Sequence, residues 1–496
     1  MFMDKPQNSN SSDSVREIPM LPSGILFPFI LLTSMFAFWG LANNMTDTLL
    51  PAFKRIMSMT DSKTAWIQVV CYFLGYGCMA IPGAMFIKRF TFKSGVLLGL
   101  GLFAIGGLLF YPAVFVEGYN IHLFGIDSAN LCFFAFLVAI CIIFSGLSIL
   151  ETACNPYICA LGAPETATRR LNFAQSFNPL GSIVGVFLSQ ALIMSQLKTF
   201  NAEERAGMTS AELSAVRAPE LFAVATPYVS VALILVVIWL MIFFTKMPNL
   251  SETDKRIDFL GTWKRLLKNY HYVWGVTAQF FYVGAQIACW SYINRYTQVA
   301  LDLDKIARTD VVQLQNVEPL AAGFNGLMNQ VGFQSLVATT AEGAGNIYYI
   351  ISLFAFVATR FICTGLMKYI KPHLMLTILA FLAVVCCFGT VYIQGAVGVY
   401  CLIGISACMS LMFPTIFGLG TYGLGEDTKM GGAGMVMAIC GAALLTQMQG
   451  YLSDWSGIRM AYWIPAIAFC VIAYYAAVVC RNDDRFNTQN NTVAAH

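Results

Sequence analysis

Apolar residues in this chain come in long runs separated by short clusters of Gly, Pro and charged residues. A helix needs about 20 apolar residues to cross the hydrocarbon core of a bilayer. Runs of that length fall at 24–50, 62–87, 94–116, 129–158, 171–196 and 221–245. A second set falls at 271–299, 344–367, 374–393, 396–422, 430–451 and 460–480. The pattern predicts an all-α membrane protein with about twelve transmembrane helices.

The second set echoes the first. Asn155-Pro156-YICA-Leu161-Gly162 returns as Phe413-Pro414-TIFG-Leu419-Gly420, with the same spacing between Pro and Gly. Each is followed by an acidic turn ending in Thr, at Glu165-Thr166 and at Asp427-Thr428. Phe38-Trp39-Gly40 is matched by Tyr282-Val283-Gly284, and the basic turn Lys88-Arg89-Phe90 by Lys368-Tyr369. Three echoes in the same order predict two six-helix halves, the arrangement common in transporters built from repeated bundles. The expected organisation is a tail at 1–23, a first bundle at 24–245, a linker at 246–270, a second bundle at 271–480 and a tail at 481–496.

Composition agrees with the pattern. Of the 496 residues 58% are hydrophobic and 11% charged, with a mean hydropathy of +0.67, whereas a soluble domain carries about 25% charge. The basic residues are scattered, which argues against nucleic acid as a partner. The 15 cysteines lie in or beside apolar runs, so no disulfide framework is expected. The polar N-terminal tail lacks a basic-then-apolar signal, so it is expected to stay on the chain. With alternating loops, about two thirds of the 29 Lys and Arg residues fall on the side of the two tails, Arg360, Lys368 and Lys371 among them. Both termini are therefore expected in the cytoplasm.

Membrane-embedded carboxylates are the sharpest chemical signal, because a charge at mid-bilayer costs on the order of 3 kcal/mol by insertion scales. Asp47 shares a helical face with Gly40, Asn43 and Asn44, and Glu151 lies one turn before Asn155 in the fourth span. Asp47 could instead be an acid that reaches headgroup water where Pro51 ends the helix, and Glu151 a structural interhelical hydrogen-bonding group. Gln175 and Asn178 supply amides that donate and accept together, as sugar hydroxyls require, although such amides also join helices. The seventh span offers Gln286 and Asn294 with the aromatic residues Tyr282, Trp290 and Tyr292, and the second half has no comparable deep acid. One half is thus equipped for protonation and hydroxyl binding, the other for stacking on the apolar face of a sugar ring.

Two short motifs are discarded. Gly418-Leu-Gly420-Thr-Tyr-Gly423 ends an apolar span rather than following a strand, and Asn44-Met-Thr46 lies within a span. There is no P-loop and no HExxH, and the four histidines are far apart, so neither ATP-driven pumping by this chain nor a metal site is expected.

From about Pro28 to Cys480 the chain resembles the L-fucose:proton symporters of the major facilitator superfamily. The likeness rests on FWGLANNMTD (Phe38 to Asp47), LETACNP (Leu150 to Pro156), AQSFNPLG (Ala174 to Gly181), YVGAQIACWSY (Tyr282 to Tyr292) and FPTIFGLG (Phe413 to Gly420). Relatives that carry glucose, galactose or N-acetylglucosamine tend to have Gln where Glu151 stands. The resemblance implies that Glu151 carries the proton, that Asp47 couples it to the sugar, and that Gln175 and Asn178 bind the sugar. The stretch 299–343 is longer than the connection the resemblance leads one to expect.

The reading is a proton-coupled sugar importer of the bacterial inner membrane, without a cofactor, acting as a monomer by alternating access. Its partners would be a sugar, L-fucose first, protons and lipid. Asn43, Asn44, Asp47, Glu151, Asn155, Gln175, Asn178, Tyr282, Gln286 and Trp290 form the expected substrate site. The rivals are an uncoupled or differently selective transporter, glucose and galactose included, and a membrane sensor that binds sugar without moving it.

Overall fold

The computed structural model describes residues 20–22, 24–59, 67, 69–123, 126–193, 196–198, 200, 204–205, 207–248, 258–309, 311–332 and 340–481. In the first half, helix α1 is Leu26–Ile56, and the second span opens as a π-helix (Val69–Cys78) before continuing as α2 (Met79–Arg89). Pro82 in α2 has no N–H for the carbonyl of Cys78, and the winding changes there. Then follow α3 (Phe92–Val114), α4 (Leu131–Ala160), α5 (Ala167–Gln175), α6 (Phe177–Leu192) and α7 (Ser210–Phe244). A linker helix, α8 (Phe259–Lys268), leads to α9 (Tyr270–Ala300).

The long connection after α9 forms three short helices, α10 (Leu303–Thr309), α11 (Val311–Gln315) and α12 (Pro319–Val331). The second half continues with α13 (Ala341–Leu366), α14 (Pro372–Tyr392), α15 (Ala396–Met409) and α16 (Met412–Gly420). It closes with α17 (Thr428–Met437), α18 (Gly441–Ser456), α19 (Trp463–Tyr474) and a terminal π-helix (Tyr475–Val479). One feature departs from an all-helical chain: strands β1 (Asn120–Leu123) and β2 (Ile126–Asn130) pair antiparallel in the loop before α4.

Local chemistry sets the helix ends. The Thr91 hydroxyl accepts from Ser94 N at 3.1 Å, Thr340 does the same for Gly343 N at 3.0 Å, and Thr209 with Glu212 forms a capping box. Lys93 Nζ donates to the carbonyls of Phe243 (2.8 Å) and Thr245 (2.9 Å), satisfying acceptors that α7 leaves open at its end.

Among the described residues, 10 helical stretches are long and apolar enough to cross a membrane. The fifth span misses because it carries Gln175, Asn178, Ser182 and Ser189, and α9 because it carries Gln279, Gln286, Asn294 and several tyrosines. With these two the chain has twelve membrane-crossing segments, and the two polar exceptions both face the cavity described below.

Lipid gives little hydrophobic drive between helices, so small residues that let backbones approach decide the packing. A Cβ on Gly99 would lie 2.7 Å from the Gly146 carbonyl, which fixes α3 against α4. The internal repeat shows in the same contacts. Gly181 of α6 sits on the Ala37 carbonyl of α1, and Gly441 of α18 sits on the Phe280 carbonyl of α9. Likewise Gly40 faces the Asn178 carbonyl and Gly284 the Gly441 carbonyl. The break at Ser176 also has its counterpart, the 3-10 turn Ala438–Cys440 between α17 and α18.

The halves meet chiefly toward the face on which the bundle begins and ends, hereafter the terminal face. There α17 lies against α2 and α4, and α16 against α5. Asn172 Nδ2 donates to Thr415 Oγ1 at 3.1 Å, and Lys429 Nζ stands 5.0 Å from the Phe92 ring centre. Nearer the opposite face, the Tyr349 hydroxyl donates to Asn44 Oδ1 at 3.3 Å, and Ile183 packs on Leu353 and Val357.

Candidate functional site

A cavity of about 110 Å³ lies between the halves. That is room for about four water molecules at their liquid volume of about 30 Å³ each. The first half lines it with Trp39, Asn43 and Asn44 of α1, Tyr72 and Tyr76 of the π-helix, Gln175 at the end of α5, and Asn178 and Ser182 of α6. Val283, Gln286, Ile287 and Trp290 of α9 face them, with Tyr349, Phe356 and Arg360 of α13. Phe413 and Ile439 complete the wall. The spacings 39/43, 72/76, 178/182 and 286/290 are single helical turns, so each helix offers one polar or aromatic stripe.

Glu151 is 2% exposed on α4 and stands behind this wall rather than in it. Neither of its carboxyl oxygens has a hydrogen-bond partner among the described residues. A carboxylate left so would carry a cost of several kcal/mol, whereas the protonated acid carries no charge to desolvate. Two links join it to the cavity. Asn155, one turn along α4, accepts a 2.8 Å hydrogen bond from Gln175 Nε2, and Gln175 lines the cavity. Tyr76, also in the wall, lies within electrostatic reach of Glu151 and beside Trp39 and Asn43.

Asp47 falls in α1, but its side chain lies outside the described residues. Of the other expected residues, Asn43, Asn44, Gln175, Asn178, Gln286 and Trp290 line the cavity, and Trp290 Nε1 donates to Ser406 Oγ at 2.9 Å. Asn155 does not line it and instead holds Gln175. Tyr282 is fully buried outside the wall, its hydroxyl donating to the Met409 carbonyl at 3.0 Å and its ring against Phe413.

Sequence reasoning missed Trp39, Tyr72, Tyr76, Tyr349, Phe356 and Arg360. The i, i+4 tyrosines in the second span and an Arg inside an apolar run were the available signals. Arg360 corrects the charge count above: it belongs to no loop, being 3% exposed inside α13. Its Nη1 donates to the Gln175 carbonyl at 2.8 Å, its Nε to the Ser410 carbonyl, and the guanidinium lies 4.6 Å from the Phe356 ring centre. The second half therefore offers a buried cation as well as stacking surfaces. No cluster of His, Cys, Asp or Glu suited to a metal occurs among the described residues.

The chain is similar to proteins of known activity. It is 38% identical to the L-fucose-proton symporter of Haemophilus influenzae, covering 92% of this chain and 97% of that protein. Identity to the L-fucose-proton symporter of Escherichia coli K12 is 34%, over 94% of each. A glucose/galactose transporter of Brucella abortus is 29% identical over 91% of this chain and 94% of that one. The crystal structure of a transporter, FucP, in the outward conformation superposes with a TM-score of 0.75 at 34% identity, covering 91% of this chain and 98% of that one. Residues 30–445 match the family description Major Facilitator Superfamily. By that match, its repeated halves and its central cavity, the chain belongs to the Major Facilitator Superfamily.

Proposed function

We propose that this chain is an L-fucose:proton symporter that imports its sugar by alternating access. The observation that carries the reading is the carboxyl of Glu151, buried behind the cavity wall one helical turn from Asn155, the residue that holds the cavity-lining Gln175. Amides of Asn43, Asn44, Gln175, Asn178 and Gln286 meet ring hydroxyls, each able to donate and accept. Trp39, Trp290 and Phe356 offer faces for the C–H side of the ring and the sugar's methyl group.

In this account Glu151 takes up a proton while the cavity is open to the outside and releases it after the cavity opens to the cytoplasm. Asp47, on the face of Asn43 and Asn44, ties that proton to the sugar. The terminal face is the cytoplasmic one, with tails 1–23 and 481–496 there. The linker 246–270 lies on the same side, joining six-helix halves at 24–245 and 271–480. The salt bridge of Arg265 in α8 with Asp427, at 2.7 Å, supports it by tying the linker to the turn before α17. The chain works as a monomer in the bacterial inner membrane, driven by the proton gradient without a cofactor.

Uptake of a panel of labelled sugars into proteoliposomes, with and without an imposed pH gradient, tests the reading. L-fucose should accumulate only with the gradient. Equal uptake without it would make the chain a facilitator, and preference for D-glucose or D-galactose would make it a transporter of the other relatives' kind.

A further inference from the structure

Arg360 joins two helix ends that belong to different halves. The first is the end of α5 at Gln175, just before the break at Ser176, and the second is the end of α15, where Ser410 separates it from α16. Carbonyls at helix C-termini carry partial negative charge and lack intrahelical donors, so a guanidinium satisfies both ends at once. No carboxylate pairs with Arg360 among the described residues, and Nη2 has no protein partner there. The contact lies on the terminal-face side of the cavity, in the region where α16 packs on α5.

We propose that Arg360 is the latch that holds the two halves together beneath the cavity, and that its bonds to the Gln175 and Ser410 carbonyls break each time the cavity opens to the terminal face. The inference rests on the alternating-access reading above. Arg360 acts here as a positioning residue. The planar fork matters, because a point charge on a flexible stem cannot hold two divergent carbonyls in one geometry. Because Arg360 also lines the cavity, occupancy by a sugar and closure of the latch share one guanidinium.

Accessibility of the buried contact under the latch tests this without any sugar or proton gradient. Thr168 is 8% exposed and lies beneath Gly418 of the other half. In full-length Thr168→Cys protein in oriented vesicles, a membrane-impermeant maleimide added at the terminal face is scored at that peptide by mass spectrometry. Adding Arg360→Lys should raise the labelling rate about tenfold, the loss of one charged hydrogen bond. Phe356→Leu, which removes the ring under the guanidinium, should raise it about threefold and serves if Arg360→Lys does not fold. An unchanged rate in the folded variants overturns the latch, while L-fucose symport measured separately stands or falls by itself.

Discussion

Gln175 of α5 donates its side-chain amide to Asn155 Oδ1 at 2.8 Å, and Asn155 lies one helical turn from Glu151. The cavity wall is thereby tied to the buried acid through a residue that never touches the cavity. Asn155→Ala is expected to weaken L-fucose affinity in exchange assays about fivefold, the loss of one buried hydrogen bond. Combined with Gln175→Ala it should add little to that single variant, because the two side chains act as a pair. Full additivity of the two losses would show that Asn155 acts on the sugar independently.

Tyr282 and Trp290 separate support from contact on the same helix. Tyr282→Phe removes only the hydrogen bond to the Met409 carbonyl and should cost about 1 kcal/mol of stability, seen as faster thermal inactivation, with affinity unchanged. Trp290→Leu should weaken affinity at least fivefold, by loss of an aromatic face. A large affinity loss in Tyr282→Phe would place that hydroxyl in the site after all.

These two residues also show where the sequence ceases to be informative. Positions 282, 286 and 290 recur every four residues and read as one face, yet the structure turns 286 and 290 to the cavity and gives 282 to α15. Periodicity fixes a stripe along a helix, and the neighbouring helix decides how far the stripe runs. The spans themselves, α9 included, were legible because each apolar run is long, and the echo of Phe38-Trp39-Gly40 in Tyr282-Val283-Gly284 set α9 opposite α1 in the repeat. Arg360 was misread because an Arg near the end of an apolar run has the same sequence signature at an interface as in a core. Its partners are backbone carbonyls, which no side-chain motif reports. Tyr72 and Tyr76 sit in a π-helix, whose altered winding shifts every side chain after it.

Asp47 is expected to be needed for both binding and coupling. Asp47→Asn keeps the shape and removes the titration, so sugar-driven alkalinisation of the medium should disappear and affinity should fall. Alkalinisation at the unsubstituted level would make Asp47 an acid that only reaches headgroup water.

Selectivity follows from the division of the cavity between amides and aromatic faces. L-galactose, with one added hydroxyl, and D-arabinose, lacking the methyl carbon, should compete with labelled L-fucose as poorer substrates, each by roughly 100-fold or less. D-glucose, with inverted ring hydroxyls, leaves buried amides unpaired and should compete far more weakly. Better competition by D-glucose than by those two would replace the fucose assignment with that of a hexose transporter.

The central claim is that the buried carboxyl of Glu151 couples proton to sugar, and one paired assay on Glu151→Gln in proteoliposomes tests it. The substitution keeps the shape of the buried side chain and removes its titration. The account predicts that L-fucose accumulation driven by an imposed pH gradient is abolished while exchange of labelled for unlabelled L-fucose across the same vesicles persists. Accumulation by Glu151→Gln at the unsubstituted level would contradict it.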